Sequence, residues 1–107
     1  RDPFKRPIMG RIGAELADLC VVTSDNPRTE DPMAIIDAIV AGMQESAHPY
    51  VVIENRVEAI GWAMAHAQKD DVIVLCGKGH ETYQEIGHKK RHLDEREVVA
   101  DFLGREV

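Results

Sequence analysis

Long apolar runs, cysteines and positive charge are all scarce in this chain of 107 residues. No apolar stretch approaches the roughly 20 residues of a membrane-spanning helix, which argues against a membrane span. Cys20 and Cys76 each lie in an apolar run and form no CxxC pair, which predicts buried, reduced thiols and a cytoplasmic location. With 13 lysines and arginines against 19 aspartates and glutamates, the chain lacks the concentrated basic face of a general nucleic-acid-binding protein.

The chain also lacks an initiator methionine, a signal peptide, internal repeats and low-complexity segments. Its opening letters, R-D-P-F-K-R-P, are typical of an interior cut, so we expect residues 1–107 to be a single domain excised from a longer protein. Hydrophobic residues make up 44% of the chain, which is enough for one packed α/β core.

Hydrophobic spacing alternates between helical and strand periods along almost the whole chain. Helices are predicted around residues 8–16, 35–43, 57–67 and 98–103, and strands at 19–22, 50–53 and 72–76. The last of these strands is a continuous apolar run, typical of burial on both faces of a parallel sheet. Segments 82–86 and 89–92 predict an antiparallel hairpin. Together they predict an α/β fold: a Rossmann-like, doubly wound, mostly parallel sheet with an antiparallel edge hairpin and helices on both faces.

Local signals predict the starts and the buried faces of the helices. Ile8, Ile12 and Leu16 fall on one helical stripe, which indicates the buried face of the first helix. N-cap side chains are predicted where a short polar residue precedes the apolar pattern, at Asp31, Asn55 and Asp94.

Two polar, turn-rich segments follow predicted strands, at the edge where open α/β sheets bind ligands. The first, T-S-D-N-P-R at 23–28, ends in Arg28, whose guanidinium can hold a carboxylate through two parallel hydrogen bonds. The second, G-K-G-H-E at 77–81, offers glycines for close backbone approach and Glu81 for an ammonium group. Arg28 and Glu81 together would bind a zwitterionic amino acid.

Simpler interpretations of the same residues remain open. Asp25 and Asn26 favour turns by themselves, and Arg28 could then be a solvated surface charge. Residues 77–79 resemble a phosphate-binding loop only loosely, because the G-x-x-x-x-G-K-[ST] spacing is missing.

The polar residues of the C-terminal half favour structural roles. Its histidines share no i, i+4 helical face and no paired cysteine, so no metal site is predicted from His80, His88 and His92. The basic run at 89–91 is typical of the exposed face of an edge strand, where positive charge discourages aggregation.

Four motifs in order resemble the C-terminal domain of the Mur ligase family, and in particular its diaminopimelate-adding members. R-D at 1–2 with K-R-P-I-M-G at 5–10 is similar to the family segment G-x-D-R-D-x-x-K-R-P-x-M-G. D-N-P-R at 25–28 matches the signature of those members, and G-K-G-H-E and D-E-R-E resemble their later segments. The resemblance covers essentially the whole chain. Leu93 and Glu95 depart from the commoner phenylalanine and aspartate, outside the expected amino-acid site.

The resemblance implies an ATP-dependent, amide-forming ligase of peptidoglycan synthesis. Such an enzyme activates the D-glutamate carboxylate of UDP-N-acetylmuramoyl-L-alanyl-D-glutamate as an acyl phosphate, which the amine of meso-diaminopimelate attacks. Motif position assigns diaminopimelate binding to Arg1, Asp25, Asn26, Arg28, Gly77 and Glu81. Arg28 would hold the distal carboxylate, which lysine lacks, and Lys5 would approach the nucleotide or acyl phosphate.

The same resemblance implies that no catalytic residue lies in this domain. ATP and Mg²⁺ would be bound mainly by a central domain and the UDP group by an N-terminal domain, and neither is part of this chain. We therefore expect no cofactor, metal, nucleic acid or membrane to bind here, and no activity without the other domains. The expected role is to bind the amino acid and to close the active site. The alternatives are a ligase of the same class that uses L-lysine, and a free-standing, non-catalytic module that binds a small ligand or a protein.

Overall fold

The computed structural model describes residues 4–44, 48–76, 81–87 and 89–105. Within these ranges the elements follow one another as helix α1 (Arg6–Leu16), strand β1 (Cys20–Val22), α2 (Pro32–Ala41), β2 (Tyr50–Val52), α3 (Arg56–His66), β3 (Tyr83–Ile86), β4 (Lys89–His92) and α4 (Glu95–Arg105). None of these helices is long and apolar enough to cross a membrane. The chain is thus a mixed α/β structure, as its hydrophobic spacing predicts.

The strands of the described ranges form two small sheets. β1 and β2 pair in parallel, with Val21 opposite Val51, and α2 connects them as in a βαβ unit. β3 and β4 form the predicted antiparallel hairpin. A single parallel bridge, between Arg28 and Ile86, connects the hairpin to the loop that follows β1. The hairpin is confirmed, but it forms a sheet of its own rather than the edge of a larger one.

The predicted strand over residues 72–76 is wrong for this structure. Its residues lie outside any strand, and Val72 and Val74 are 85% and 73% exposed. Cys76 is also exposed, although its apolar surroundings predict a buried thiol, whereas Cys20 is half-buried and burial raises the pKa of its thiol. An apolar run shows that a segment can be buried, but a strand also needs a neighbour with free backbone donors and acceptors.

The core lies between α1, β1 and α2. Its central cluster consists of Ala14, Val22, Ile36 and Met43, and Ala59, Ile60 and Leu93 are also buried. Ile39 and Val40 of α2 pack against this cluster, which confirms the predicted apolar face of that helix.

Helix α1 forms where it is predicted but buries a different face. Leu16 is 83% exposed, and Ile8 and Ile12 are also exposed. The buried residues of the helix are Arg6, Gly10 and Ala14. The helical period identifies α1 correctly, yet the size of the side chains decides which face packs, because small residues allow two helices to approach closely.

Glycines at the contact of α1 and α2 show how close this approach is. A Cβ at Gly10 would overlap the carbonyl oxygen of Ile39, and a Cβ at Gly42 would overlap that of Pro7. At these two positions backbone therefore lies directly against backbone, and no side chain larger than a hydrogen atom fits.

The predicted N-caps of α2, α3 and α4 are all present. Asp31 accepts a hydrogen bond from the backbone N–H of Met33 and Asn55 from that of Glu58, each at 3.0 Å. Asp94, directly before α4, accepts one from the N–H of Arg96 at 3.0 Å. Such caps satisfy the first N–H groups of a helix and each contributes about 1 kcal/mol.

An ion pair joins the start of α1 to the loop before α2. The Arg6 guanidinium donates two hydrogen bonds to the Glu30 carboxylate, with N···O distances of 2.8 and 3.0 Å. These hydrogen bonds lower the pKa of Glu30 from its ordinary value of 4.5, and the Arg6 charge adds to the effect against the opposing effect of burial. The ionised form of Glu30 is therefore favoured in the folded chain.

Gly10→Ala should destabilise the fold by about 1–3 kcal/mol, because the new methyl group has no room against Ile39. Gly13→Ala is the matched control in the same helix. Its Cβ would lie 3.6 Å from the Cys20 sulfur, an ordinary contact, so the better helix propensity of alanine should stabilise by about 0.5–1 kcal/mol. Urea unfolding of both variants measures the difference, and equal shifts would contradict the close packing of α1 on α2.

The Arg6–Glu30 pair should also make stability depend on pH. Because the pKa of Glu30 is lowered on folding, the unfolded chain takes up the proton first, and stability is lost as pH falls from about 4.5 through the folded pKa. Glu30→Gln should be less stable than the parent at pH 7 and lose less stability on acidification over that window. Superimposable acid-unfolding curves for parent and variant would rule this contribution out.

Candidate functional site

The loop after β1 is tied to the segment after β2. Both the Thr23 and the Ser24 hydroxyls donate to the carbonyl oxygen of Glu54, at 3.1 and 2.7 Å, and the backbone N–H of Ser24 donates to the same oxygen at 3.3 Å. The loop therefore begins at the carboxyl end of the parallel pair, where the sequence predicts a ligand site.

Gln84 of β3 anchors this loop to the hairpin. Its side chain is 2% exposed, and its amide N–H₂ donates to the Ser24 hydroxyl at 3.1 Å and to the Asp25 carbonyl at 2.8 Å. Its amide oxygen accepts from the Arg91 guanidinium at 3.2 Å. A buried amide bonded at both ends specifies one position for the loop, because any displacement would leave polar groups unsatisfied.

Asn26 brings together the two segments that the sequence singles out. Its side-chain oxygen accepts from the backbone N–H of Glu85 at 2.9 Å, and its N–H₂ donates to the Glu81 carboxylate at 3.2 Å. Asn26 and Glu81 are 55 positions apart in the chain, so only the tertiary fold places them side by side. The structure thus brings Glu81 next to the D-N-P-R loop.

Arg28 has a left-handed backbone conformation, with φ of 54°. This conformation costs a non-glycine residue about 1–3 kcal/mol and persists only where the surroundings hold it. Backbone hydrogen bonds do so here: the N–H of Arg28 donates to the carbonyl of Glu85 at 3.0 Å, and the N–H of Gly87 donates to the carbonyl of Arg28. The loop thereby joins β3 in a single bridge.

The Arg28 guanidinium already has partners within the chain. Its Nε lies 2.6 Å from the Glu85 carboxylate, and its Nη1 donates to the carbonyl of Asn26 at 3.3 Å. The Arg28 side chain is 33% exposed and that of Glu85 25%. Arg28 is thus a held, partly buried cation, and the alternative of a freely solvated surface charge is wrong.

Arg56 is a site-supporting residue that sequence reasoning missed. It is 5% exposed and bonds three separate segments: the carbonyl of Ser24 at 3.1 Å, the carbonyl of Cys76 at 2.7 Å and the carboxylate of Glu95 at 2.9 Å. Its guanidinium therefore holds the loop after β1 and the end of the 72–76 segment in place relative to α4. The only signal in the sequence is its place directly after the Asn55 cap, which does not distinguish it from a surface arginine.

The remaining predicted site residues are less closely involved or fall outside the described ranges. Asp25 is half-buried, and its carbonyl belongs to the Gln84 network. Lys5 lies exposed at the N-cap of α1, and no described contact brings it to the D-N-P-R loop. Arg1 and Gly77 lie outside the residues that the structure describes, as do His80 and His88.

A cavity of about 320 Å³ lies beside the loop but on the other side of the hairpin. It is lined by Ser24, Pro27 and Asn55 and by three hairpin residues, Gln84, Ile86 and Arg91. Successive residues of a strand point to opposite faces, so Glu85 points away from the cavity. The cavity therefore lies among the residues that support the loop, and the charged groups Arg28 and Glu81 do not line it.

In the described ranges, no three His, Cys, Asp or Glu side chains are placed to hold a metal ion.

The parallel βαβ unit places this chain in the class of α/β domains, whose ligand sites generally lie at the carboxyl ends of the strands. The chain belongs to the Mur ligase family, since residues 1–79 match the family model described as the Mur ligase, glutamate ligase domain.

Named relatives support this placement. The UDP-N-acetylmuramoyl-L-alanyl-D-glutamate–2,6-diaminopimelate ligase of Caldanaerobacter subterraneus subsp. tengcongensis is 56% identical over 103 residues, and ligase 1 of the same name from Clostridium acetobutylicum is 57% identical over 103 residues. Each match covers 96% of this chain but only 21% of the relative. A solved structure of a ligase of this name superposes with a TM-score of 0.93 at 39% identity, over 99% of this chain and 22% of that one.

Gln84→Leu should destabilise the fold by about 1–3 kcal/mol, because it keeps the volume but leaves the Asp25 carbonyl and the Arg91 guanidinium without their buried partner. Gln68→Leu, at an exposed position, is the control and should stay within about 0.5 kcal/mol of the parent. Denaturant unfolding measures both. Equal stabilities would show that the Gln84 amide does not hold the loop.

Proposed function

We propose that this chain is the amino-acid-binding domain of an ATP-dependent ligase that adds meso-diaminopimelate to UDP-N-acetylmuramoyl-L-alanyl-D-glutamate in peptidoglycan synthesis. The observation that carries the proposal is the Asn26–Glu81 hydrogen bond, at 3.2 Å, which joins the D-N-P-R loop to the second polar segment. It sets a carboxylate next to the loop whose last residue is the cation Arg28.

The charges of the site suit one end of diaminopimelate, which carries a carboxylate and an ammonium on the same carbon. We assign the carboxylate to Arg28, whose planar guanidinium can donate two parallel hydrogen bonds, and the ammonium to Glu81. Asn26 holds Glu81 in place, and Asp25 shapes the loop through its bond to Gln84. Arg1 and Gly77 complete the proposed set by motif position.

Catalysis is proposed to lie outside this chain, which spans 21% of the relatives' length. The motifs that resemble the family in this chain are those of its amino-acid-binding domain. We therefore assign ATP, Mg²⁺ and the UDP-linked substrate to the remainder of a longer cytoplasmic enzyme, with Lys5 near the nucleotide or acyl phosphate. The contribution of this domain is to deliver the amine and to exclude water when it closes over the acyl phosphate.

A doubly wound, Rossmann-like order of the sheet is part of the same proposal. It is supported by the parallel pairing of β1 with β2 through α2, since consecutive parallel strands joined by a helix are the repeating unit of such folds.

Arg28→Ala in the complete ligase should lower kcat/KM for meso-diaminopimelate by about 10- to 100-fold, because a charge-assisted contact to the distal carboxylate is lost. Arg28→Lys is the matched control: it keeps the charge but not the two-point contact, and an intermediate loss is expected. Activity with L-lysine, which has no distal carboxylate, should change far less.

Thermal unfolding of the same variants separates binding from folding, because alanine and lysine at a φ of 54° carry a similar backbone cost. Unaltered kinetics of Arg28→Ala with meso-diaminopimelate would overturn the assignment of Arg28. A parent enzyme that used L-lysine better than meso-diaminopimelate would overturn the proposed substrate.

A further inference from the structure

The guanidinium assigned to the ligand is already in contact with a carboxylate of this chain. Glu85 Oε2 lies 2.6 Å from Arg28 Nε, and both side chains are about one quarter to one third exposed. An incoming carboxylate must therefore displace Glu85 or share the guanidinium with it. Nothing in the sequence indicates this, since Glu85 lies inside a hairpin strand and outside the family motifs.

The backbone of Glu85 is fixed while its side chain can rotate. Its N–H donates to the Asn26 side chain at 2.9 Å and its carbonyl accepts from the Arg28 N–H at 3.0 Å. Both bonds anchor the loop whether or not the carboxylate touches the guanidinium. Rotation of the Glu85 side chain would free the Arg28 guanidinium for a ligand and leave the backbone hydrogen bonds of the loop intact.

A second cation, Lys90, lies on the same face of the hairpin as Glu85. Lys90 lies directly opposite Glu85 in the β3–β4 register, and its ammonium lies 4.6 Å from the centroid of the Tyr83 ring. Directly opposed residues of an antiparallel pair have Cβ atoms about 4.5–5.5 Å apart. A Glu85 side chain that leaves Arg28 therefore has an exposed ammonium within reach.

We propose that Glu85 is an internal competitor of the ligand, a carboxylate that occupies Arg28 until the distal carboxylate of the ligand displaces it toward Lys90. The inference rests on the proposed function, because it takes Arg28 to be the receptor of that carboxylate. The Glu85 contact runs through one nitrogen, whereas a ligand carboxylate can accept from two, so the exchange favours the ligand. L-lysine brings no distal carboxylate and leaves the Arg28–Glu85 pair closed.

The test is steady-state kinetics of the complete ligase with Glu85→Gln, which keeps the shape and one acceptor oxygen but removes the charge. KM for meso-diaminopimelate should fall about 3- to 10-fold with kcat unchanged, because the competing ion pair is gone. KM for L-lysine should not change. Glu97→Gln is the matched control for net charge, since it removes an exposed carboxylate that pairs with His92.

A double-mutant cycle tests the role of Lys90. Lys90→Met should raise KM for meso-diaminopimelate about 2- to 3-fold in the parent. It should have no effect in the Glu85→Gln background, because that variant has no displaced carboxylate for Lys90 to bind. Equal effects in both backgrounds would overturn the exchange toward Lys90.

The outcomes separate this inference from the proposed function. If Arg28→Ala weakens use of meso-diaminopimelate but Glu85→Gln leaves KM unchanged or raises it, Glu85 is not a competitor and only the present inference fails. If Arg28→Ala leaves KM unchanged, the assignment of Arg28 fails first. A fall in KM for both amino acids would show a general change in charge and would also overturn the exchange.

Discussion

Hydrogen bonds between strand β3 and the loop after β1 determine where Asn26 and Arg28 lie. Gln84 and the backbone of Glu85 hold the loop from one side, and the Glu54 carbonyl holds it from the other. The left-handed conformation of Arg28 is tolerated because its N–H completes this set. A hairpin that lies late in the chain therefore holds the loop of the proposed amino-acid site in place.

Charge compensation is the second organising feature. Three arginines form ion pairs with glutamates: Arg28 with Glu85, Arg56 with Glu95 and Arg6 with Glu30. Each pair joins segments far apart in the chain. The Arg56 pair is the most buried, and removing one partner of such a pair costs about 3–5 kcal/mol, so it is a structural support. The Arg28 pair is more exposed, which is why we propose that a ligand exchanges with it.

Sequence reasoning predicted the local features well because they depend on near neighbours. The caps at Asp31, Asn55 and Asp94 and the β3–β4 hairpin follow from a few adjacent residues, and all are present. It failed over residues 72–76, where a strand depends on a partner that composition cannot supply. It also failed for the packed face of α1, where close backbone contact outweighed the apolar stripe.

The sequence by itself determined the family of this chain, the positions of its helices and the two loops that carry charge, since motifs and caps are short and local. Only the tertiary structure decided what those charges touch. Asn26 meets Glu81 across 55 positions, Gln84 meets Asp25 across 59, and Arg28 turns out to be held by Glu85. No period or motif encodes such contacts, because they arise when a distant hairpin packs against the loop.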